Sequence, residues 1–173
     1  MLELILGGAR SGKSRLAEGL AADCGLAVTY IATARVGDGE MSTRIQQHRQ
    51  RRPDRWGLVE EPLHLADTLR QHASAERCLL VDCLTLWLTN LLIEDDGAHL
   101  QREVEALLAL VPTLPGRIIL VSNETGLGVV PLGELTRRYV DEAGWLHQSL
   151  AHCSDRVVFT VAGLPMLLKG EPI

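Results

Sequence analysis

Eight consecutive residues near the N-terminus, Gly7-Gly8-Ala9-Arg10-Ser11-Gly12-Lys13-Ser14, fit the phosphate-loop pattern G-x-x-x-x-G-K-[ST] in full. Glycines at these spacings let backbone N–H groups close around a phosphate, the lysine reaches the β- and γ-phosphates, and the hydroxyl after it is placed to hold Mg²⁺. A glycine-rich turn can match by accident, but the flanking sequence argues otherwise. Leu2–Leu6 is an apolar run that reads as a buried strand, and Arg15–Cys24 has helical character. A strand before and a helix after bring a helix N-terminus, with its partial positive charge, against the anion. The loop predicts a nucleoside triphosphate site with Lys13 as a catalytic cation and Ser14 as a metal ligand.

A second feature is a carboxylate at the end of an apolar run, Leu79-Leu80-Val81-Asp82. Many strands end in Asp, so the motif gains weight only behind a phosphate loop. There Asp82 is expected to bind Mg²⁺ directly or through water, on a strand lying beside the phosphate loop. Two polar, glycine-containing segments, 32–41 and 122–131, follow other strands. Ligands of open α/β sheets bind at strand carboxyl ends, which favours these segments as site loops over ordinary surface loops. Glu124, in the second, is placed to accept a hydroxyl proton.

The third feature is basic. Arg44, His48, Arg49, Arg51, Arg52 and Arg55 crowd twelve residues of a chain whose net charge is −5. A solvated helix face, running from near Glu40 to a stop at Pro53, is the bland reading. The alternative is a clamp for phosphates. His48 stands out because flanking cations disfavour its protonated form, and a neutral imidazole is a good nucleophile. Such a histidine can attack a nucleotide α-phosphate and form a phosphoramidate. The other histidines, His64, His72, His99, His147 and His152, lack a comparable setting and read as surface or cap residues.

The elements that must hold these groups alternate. Strands are predicted at Leu2–Leu6, Ala27–Thr33, Cys78–Asp82, Arg117–Ser122 and Arg156–Val161, with weaker ones near Gly57–Glu60 and Met166–Lys169. Most are near-continuous apolar runs, as befits strands buried on both faces of a parallel sheet. Leu100, Val104, Leu107, Leu108 and Val111 mark one helical face, and Leu135, Tyr139, Ala143, Leu146 and Leu150 another. The alternation gives a doubly wound α/β fold with a mostly parallel sheet. No linker or repeat interrupts it, so residues 1–173 are expected to form one domain. One helix, Leu84–Ile93, is apolar almost all round. It is either a central core helix or a subunit interface, and an oligomer is the favoured reading.

Composition narrows the setting. Apolar residues make up 46% and charged residues 23%, ordinary for a soluble globular chain. An acidic balance without a basic tail argues against a nucleic-acid partner. Cys24, Cys78, Cys83 and Cys153 show no metal or redox spacing and point to reduced core thiols in the cytoplasm. A strand beginning at residue 2 leaves no room for a signal peptide, and no apolar run is long enough to span a membrane.

Five segments together resemble the bifunctional adenosylcobinamide kinase/adenosylcobinamide-phosphate guanylyltransferase family. They are I-L-G-G-A-R-S-G-K-S-R at the first strand and loop, Y-I-A-T-A from Tyr30, E-M-S-T-R-I-Q-Q-H-R from Glu40, V-D-C-L-T-L-W-L-T-N from Val81 and V-S-N-E-T-G-L-G-V-V-P from Val121. The resemblance covers essentially the whole chain. Gly39 and Thr125 depart from it, where the family often has an acidic residue and a valine.

The resemblance implies phosphorylation of the aminopropanol hydroxyl of adenosylcobinamide by ATP or GTP. It then implies GMP transfer from GTP onto adenosylcobinamide phosphate through a GMP-histidine at His48. It further implies a RecA-like P-loop fold, a homotrimer, and nucleotide contacts at Gly7, Gly8, Ala9, Arg10, Ser11, Gly12, Lys13, Ser14, Ala32, Thr33, Ala34, Arg49, Gln50, Arg51, Arg52, Glu60 and Asp82. Gly37 and Gly39 would let the His48 segment swing toward the nucleotide. Two other classes compete: a simple P-loop small-molecule kinase without nucleotidyl transfer, and a non-enzymatic nucleotide-binding module.

Overall fold

The computed structural model describes residues 1–35, 53 and 55–173. His48, Arg49, Gln50, Arg51 and Arg52, with the glycines Gly37 and Gly39, lie outside the described residues, so the basic segment is represented only by Pro53 and Arg55.

Seven strands form one sheet: β1 (Leu2–Gly7), β2 (Ala27–Ala32), β3 (Gly57–Glu60), β4 (Arg77–Asp82), β5 (Arg117–Asn123), β6 (Arg156–Val161) and β7 (Leu164–Lys169). Their order is β3-β2-β4-β5-β1-β6-β7. Every pairing is parallel except β6 with β7. The described helices are α1 (Lys13–Ala22), α2 (Leu65–His72), α3 (Leu84–Ile93), α4 (Leu100–Leu110) and α5 (Glu134–Cys153).

The continuous apolar runs have a direct cause. Alternate residues of each central strand enter different cores, because side chains in a strand point to opposite faces in turn. Leu4 and Leu6, Leu79 and Val81, and Ile118 and Leu120 join one core with α2 to α5. Ile5, Leu80, Ile119 and Val121 join the other, with Ala17 and Ala21 of α1.

Strand order corrects one expectation. The Asp82 strand is not next to β1, because β5 lies between them. Pairing order is a tertiary property, and an apolar run carries no mark of its neighbour. The greasy helix is also explained within the chain. Leu84, Trp87, Leu88, Leu91 and Leu92 of α3 are all buried, and the Trp87 indole donates to the Leu63 carbonyl at 2.8 Å. Only Ile93 at its end is well exposed, so α3 needs no second copy to cover it. Apolar exposure lies elsewhere, on Leu127, Val129, Val130 and Leu132 and along β7.

One charged group sits in the central strand. Glu3 of β1 is 1% exposed. It accepts from Arg117 Nε of β5 at 2.5 Å and from Arg156 of β6, whose Nε is at 2.8 Å. These partners flank it on both sides of the sheet, so the buried carboxylate is satisfied across three strands.

Candidate nucleotide site at the carboxyl edge of the sheet

The phosphate loop follows β1 directly and feeds α1. Gly12 stands at the helix N-cap with φ of +98°, a left-handed conformation that favours glycine. Packing fixes the loop's other end. A Cβ on Gly7 would lie 2.5 Å from Ser11 Oγ and 2.6 Å from the Thr160 carbonyl. The β6–β7 turn braces the loop from beneath, where Gly163 N donates to the Ser11 carbonyl at 2.8 Å.

Lys13 opens α1 and is 8% exposed. Its Nζ donates to the Gly8 carbonyl of the same loop at 3.1 Å. Burial lowers its pKa, and the Asp82 carboxylate pulls it back up. That opposition places Asp82 in the electrostatic field of Lys13 despite the intervening β5. Two strand spacings amount to about 10 Å between strand axes, a gap that a lysine side chain and a nucleotide's phosphates bridge.

Asp82 belongs to a row across the edge. Glu60 pairs in register with Ala32, and Ala32 with Asp82. Glu60 ends the edge strand, four spacings or about 19 Å from β1. Thr33 follows Ala32, and its side chain turns inward. It is fully buried, its hydroxyl donates to the Cys83 carbonyl at 2.6 Å, and it accepts from Cys83 N at 3.0 Å. Asn90 of α3 donates to the Thr33 carbonyl at 2.7 Å. Thr33 is thus a clasp between the exits of β2 and β4, with no hydroxyl facing a ligand. Ala34 beside it is half-buried, and Arg35 pairs with Glu94 at 2.6 Å.

Glu124 comes from the other side. Its N–H donates to the Gly7 carbonyl at 3.1 Å, which ties the β5 exit to the first residue of the phosphate loop. Its Oε1 accepts from Gly126 N at 2.6 Å, and its Oε2 lies 3.8 Å from His147 Nδ1. Beside it opens a recess of about 130 Å³ lined by Thr125, Gly126, Val129, Val130, Arg137 and Asp141.

His147 corrects the reading of that residue as surface or cap. It is buried on α5, and burial lowers its pKa against the opposing pull of Glu124. A helical period that already names Leu146 and Leu150 gave a signal, since His147 adjoins that face. His64 and His99 do stand at helix N-caps, without a side-chain capping bond. Cys78 and Cys83 are unreactive by placement: burial pushes Cys78 up to about 12 and Cys83 to about 11.

Among the described residues, no group of three or more His, Cys, Asp or Glu side chains forms a metal cage. Mg²⁺ at a phosphate loop needs none, since it takes one or two protein oxygens with phosphate and water completing the shell. The half-buried Ser14 hydroxyl and the Asp82 carboxylate are hard oxygen donors of that kind.

A central strand ending in a complete phosphate loop, an acidic strand two places away and helices on both faces define a P-loop α/β nucleotide-binding protein. The chain belongs to the cobinamide kinase / cobinamide phosphate guanyltransferase family, whose profile matches residues 3–168. It is 73% identical over 173 residues to the bifunctional adenosylcobalamin biosynthesis protein CobP of Pseudomonas aeruginosa, covering the whole of both chains. It is 37% identical over 182 residues to the bifunctional adenosylcobalamin biosynthesis protein CobU of Escherichia coli, covering 98% of this chain and 100% of that one. A solved structure from Pyrococcus horikoshii matches with a TM-score of 0.57 over 99% of this chain and 87% of its own, at 8% identity, a likeness of fold alone.

Proposed function

We propose that this protein phosphorylates adenosylcobinamide with ATP or GTP and then transfers GMP from GTP to the adenosylcobinamide phosphate. The observation that carries the reading is the bond from Glu124 N–H to the Gly7 carbonyl. It ties a residue that carries a carboxylate to the first residue of a complete phosphate loop. Family membership supplies the acceptor class.

In the first step the aminopropanol hydroxyl oxygen attacks the γ-phosphorus. Its proton passes to Glu124, and the bond to the bridging oxygen breaks to release the nucleoside diphosphate. Lys13 Nζ leaves the Gly8 carbonyl and meets the charge on the transferring group. Ser14 and Asp82 would hold Mg²⁺, which when bound would supply positive charge against the triphosphate.

In the second step an imidazole nitrogen of His48 attacks the α-phosphorus of GTP and pyrophosphate leaves. A phosphate oxygen of the acceptor then attacks the same phosphorus and releases the imidazole. Arg49, Arg51 and Arg52 are the cations assigned to the leaving pyrophosphate, with Gln50 beside them. Gly7 to Ser14, Ala32, Thr33 (through its backbone), Ala34 and Glu60 complete the nucleotide contacts.

A homotrimer fits the exposed apolar residues of segment 127–132 and β7, and four free thiols fit the cytoplasm. Among the described residues no helix is long and apolar enough to cross a membrane.

The test is incubation with α-labelled GTP and Mg²⁺. The reading expects an acid-labile, alkali-stable protein adduct that His48→Ala abolishes while kinase activity survives. A simple kinase gives no adduct, and a binding module turns over neither substrate.

A further inference from the structure

Ser122, His147 and Glu124 lie in line beneath the edge where the phosphate loop sits. Ser122 Oγ is 2.8 Å from His147 Nε2, and His147 Nδ1 is 3.8 Å from Glu124 Oε2. The order suggests a nucleophile, a base and an orienting acid, but Ser122 is 1% exposed and meets no substrate. The line therefore serves its other end, the half-exposed Glu124.

Asn123 N–H donates to Thr85 Oγ1 at 2.7 Å, and Thr85 Oγ1 lies 3.4 Å from Ser122 Oγ, a pair in which either hydroxyl can donate. The tautomer with its proton on Nδ1 directs that proton at the Glu124 carboxylate and leaves Nε2 to accept from Ser122. The 3.8 Å gap is about 1 Å longer than a hydrogen bond, and catalytic contacts of this kind tighten in the substrate complex. Gly126 N holds the other carboxylate oxygen at 2.6 Å.

We propose that His147 is a positioning residue for the phosphoryl-transfer step, its Nδ1–H fixing the Glu124 carboxylate toward the acceptor hydroxyl. The inference rests on reading Glu124 as the base of that step. A neutral imidazole suits the task. It orients the carboxylate as a donor, whereas an imidazolium would strip Glu124 of basicity. Burial favours the neutral form, and among the described residues the Glu124 carboxylate opposes it; the uncharged Ser122 of β5 faces Nε2.

The experiment compares kinase kcat and nucleotide KM for the wild type, His147→Gln, His147→Asn and Glu124→Gln. Formation of the GMP adduct is measured alongside. His147→Gln should lower kinase kcat about ten- to hundredfold with nucleotide KM nearly unchanged, as expected for a misplaced base. His147→Asn, whose amide nitrogen stands where Nδ1 stood, should recover most of the rate, and both variants should form the GMP adduct normally. A wild-type rate in His147→Gln overturns the proposal. So does joint loss of kinase activity and adduct, or a His147→Asn as impaired as His147→Gln. An active Glu124→Gln removes the base reading itself, and an inactive Glu124→Gln beside a normal His147→Gln removes only the role of His147.

Discussion

Gly7→Ala is the sharpest test of the phosphate loop's architecture. The added methyl would lie 2.6 Å from the Thr160 carbonyl, where ordinary contact begins at 3.4 Å, so about 0.8 Å must be found. Thr160 pairs in register with Gly7 across the β1–β6 ladder, so the offending atom is backbone in a sheet and gives way only if two strands part. Ser11 Oγ, at 2.5 Å on the other side, blocks the alternative movement. Overpacking of this kind costs about 1–3 kcal/mol. For a chain of this size that lowers Tm by roughly 2–12 °C. A displacement near 1 Å at the first residue of the loop should cost about 100-fold in kinase kcat/KM. Gly8→Ala is the control for the melts, because nothing lies within 4 Å of its Cβ and its φ is ordinary. Thermal melts of the apo proteins and steady-state kinase kinetics read both effects. The reasoning fails if Gly7→Ala melts and turns over like the wild type, or if Gly8→Ala lowers Tm as much.

Two further outcomes follow from buried charge. Lys13→Met should lower kinase turnover about 100-fold or more by removing a transition-state cation, yet leave the apo Tm equal to or above that of the wild type. Burial is the largest influence on Lys13 and outweighs Asp82, so its folded pKa lies below 10.5 and the charged form costs stability at neutral pH. That cost fades as pH rises from the folded value toward 10.5, and a Tm loss of several degrees at neutral pH in Lys13→Met would contradict it. Glu3→Gln removes the charge shared by the buried Arg156 and the half-buried Arg117, and breaking a buried pair costs about 3–5 kcal/mol. Tm should fall by roughly 6–20 °C, while activity per folded molecule holds, because Glu3 lies at the opposite end of β1 from the phosphate loop. A calorimetric scan with matched kinetics checks both halves.

Much of the fold was legible because its signals are local. Leu2–Leu6 and Cys78–Asp82 read as strands since both faces of the sheet are covered, and the phosphate loop is a contiguous motif whose chemistry needs nothing distant. What was illegible depends on neighbours. The insertion of β5 between β1 and β4 leaves no trace in either strand. Thr33 has the residue type and position of a ligand contact, and only the approach of Cys83 shows where its hydroxyl goes. The oligomer signal read from Leu84–Ile93 reported burial instead, since an interior helix and an interface helix share one composition. His147 looked ordinary because its partners, Ser122 and Glu124, are 25 and 23 positions away in the chain.

The account turns on whether one P-loop protein performs two transfers. Mass spectrometry of the full chain after incubation with GTP and Mg²⁺ tests this most directly. The predicted result is one added GMP on the peptide containing His48, absent in His48→Ala and discharged by adenosylcobinamide phosphate. An unmodified His48 peptide in a preparation that turns over the kinase step, or a GMP adduct that persists in His48→Ala, would contradict it.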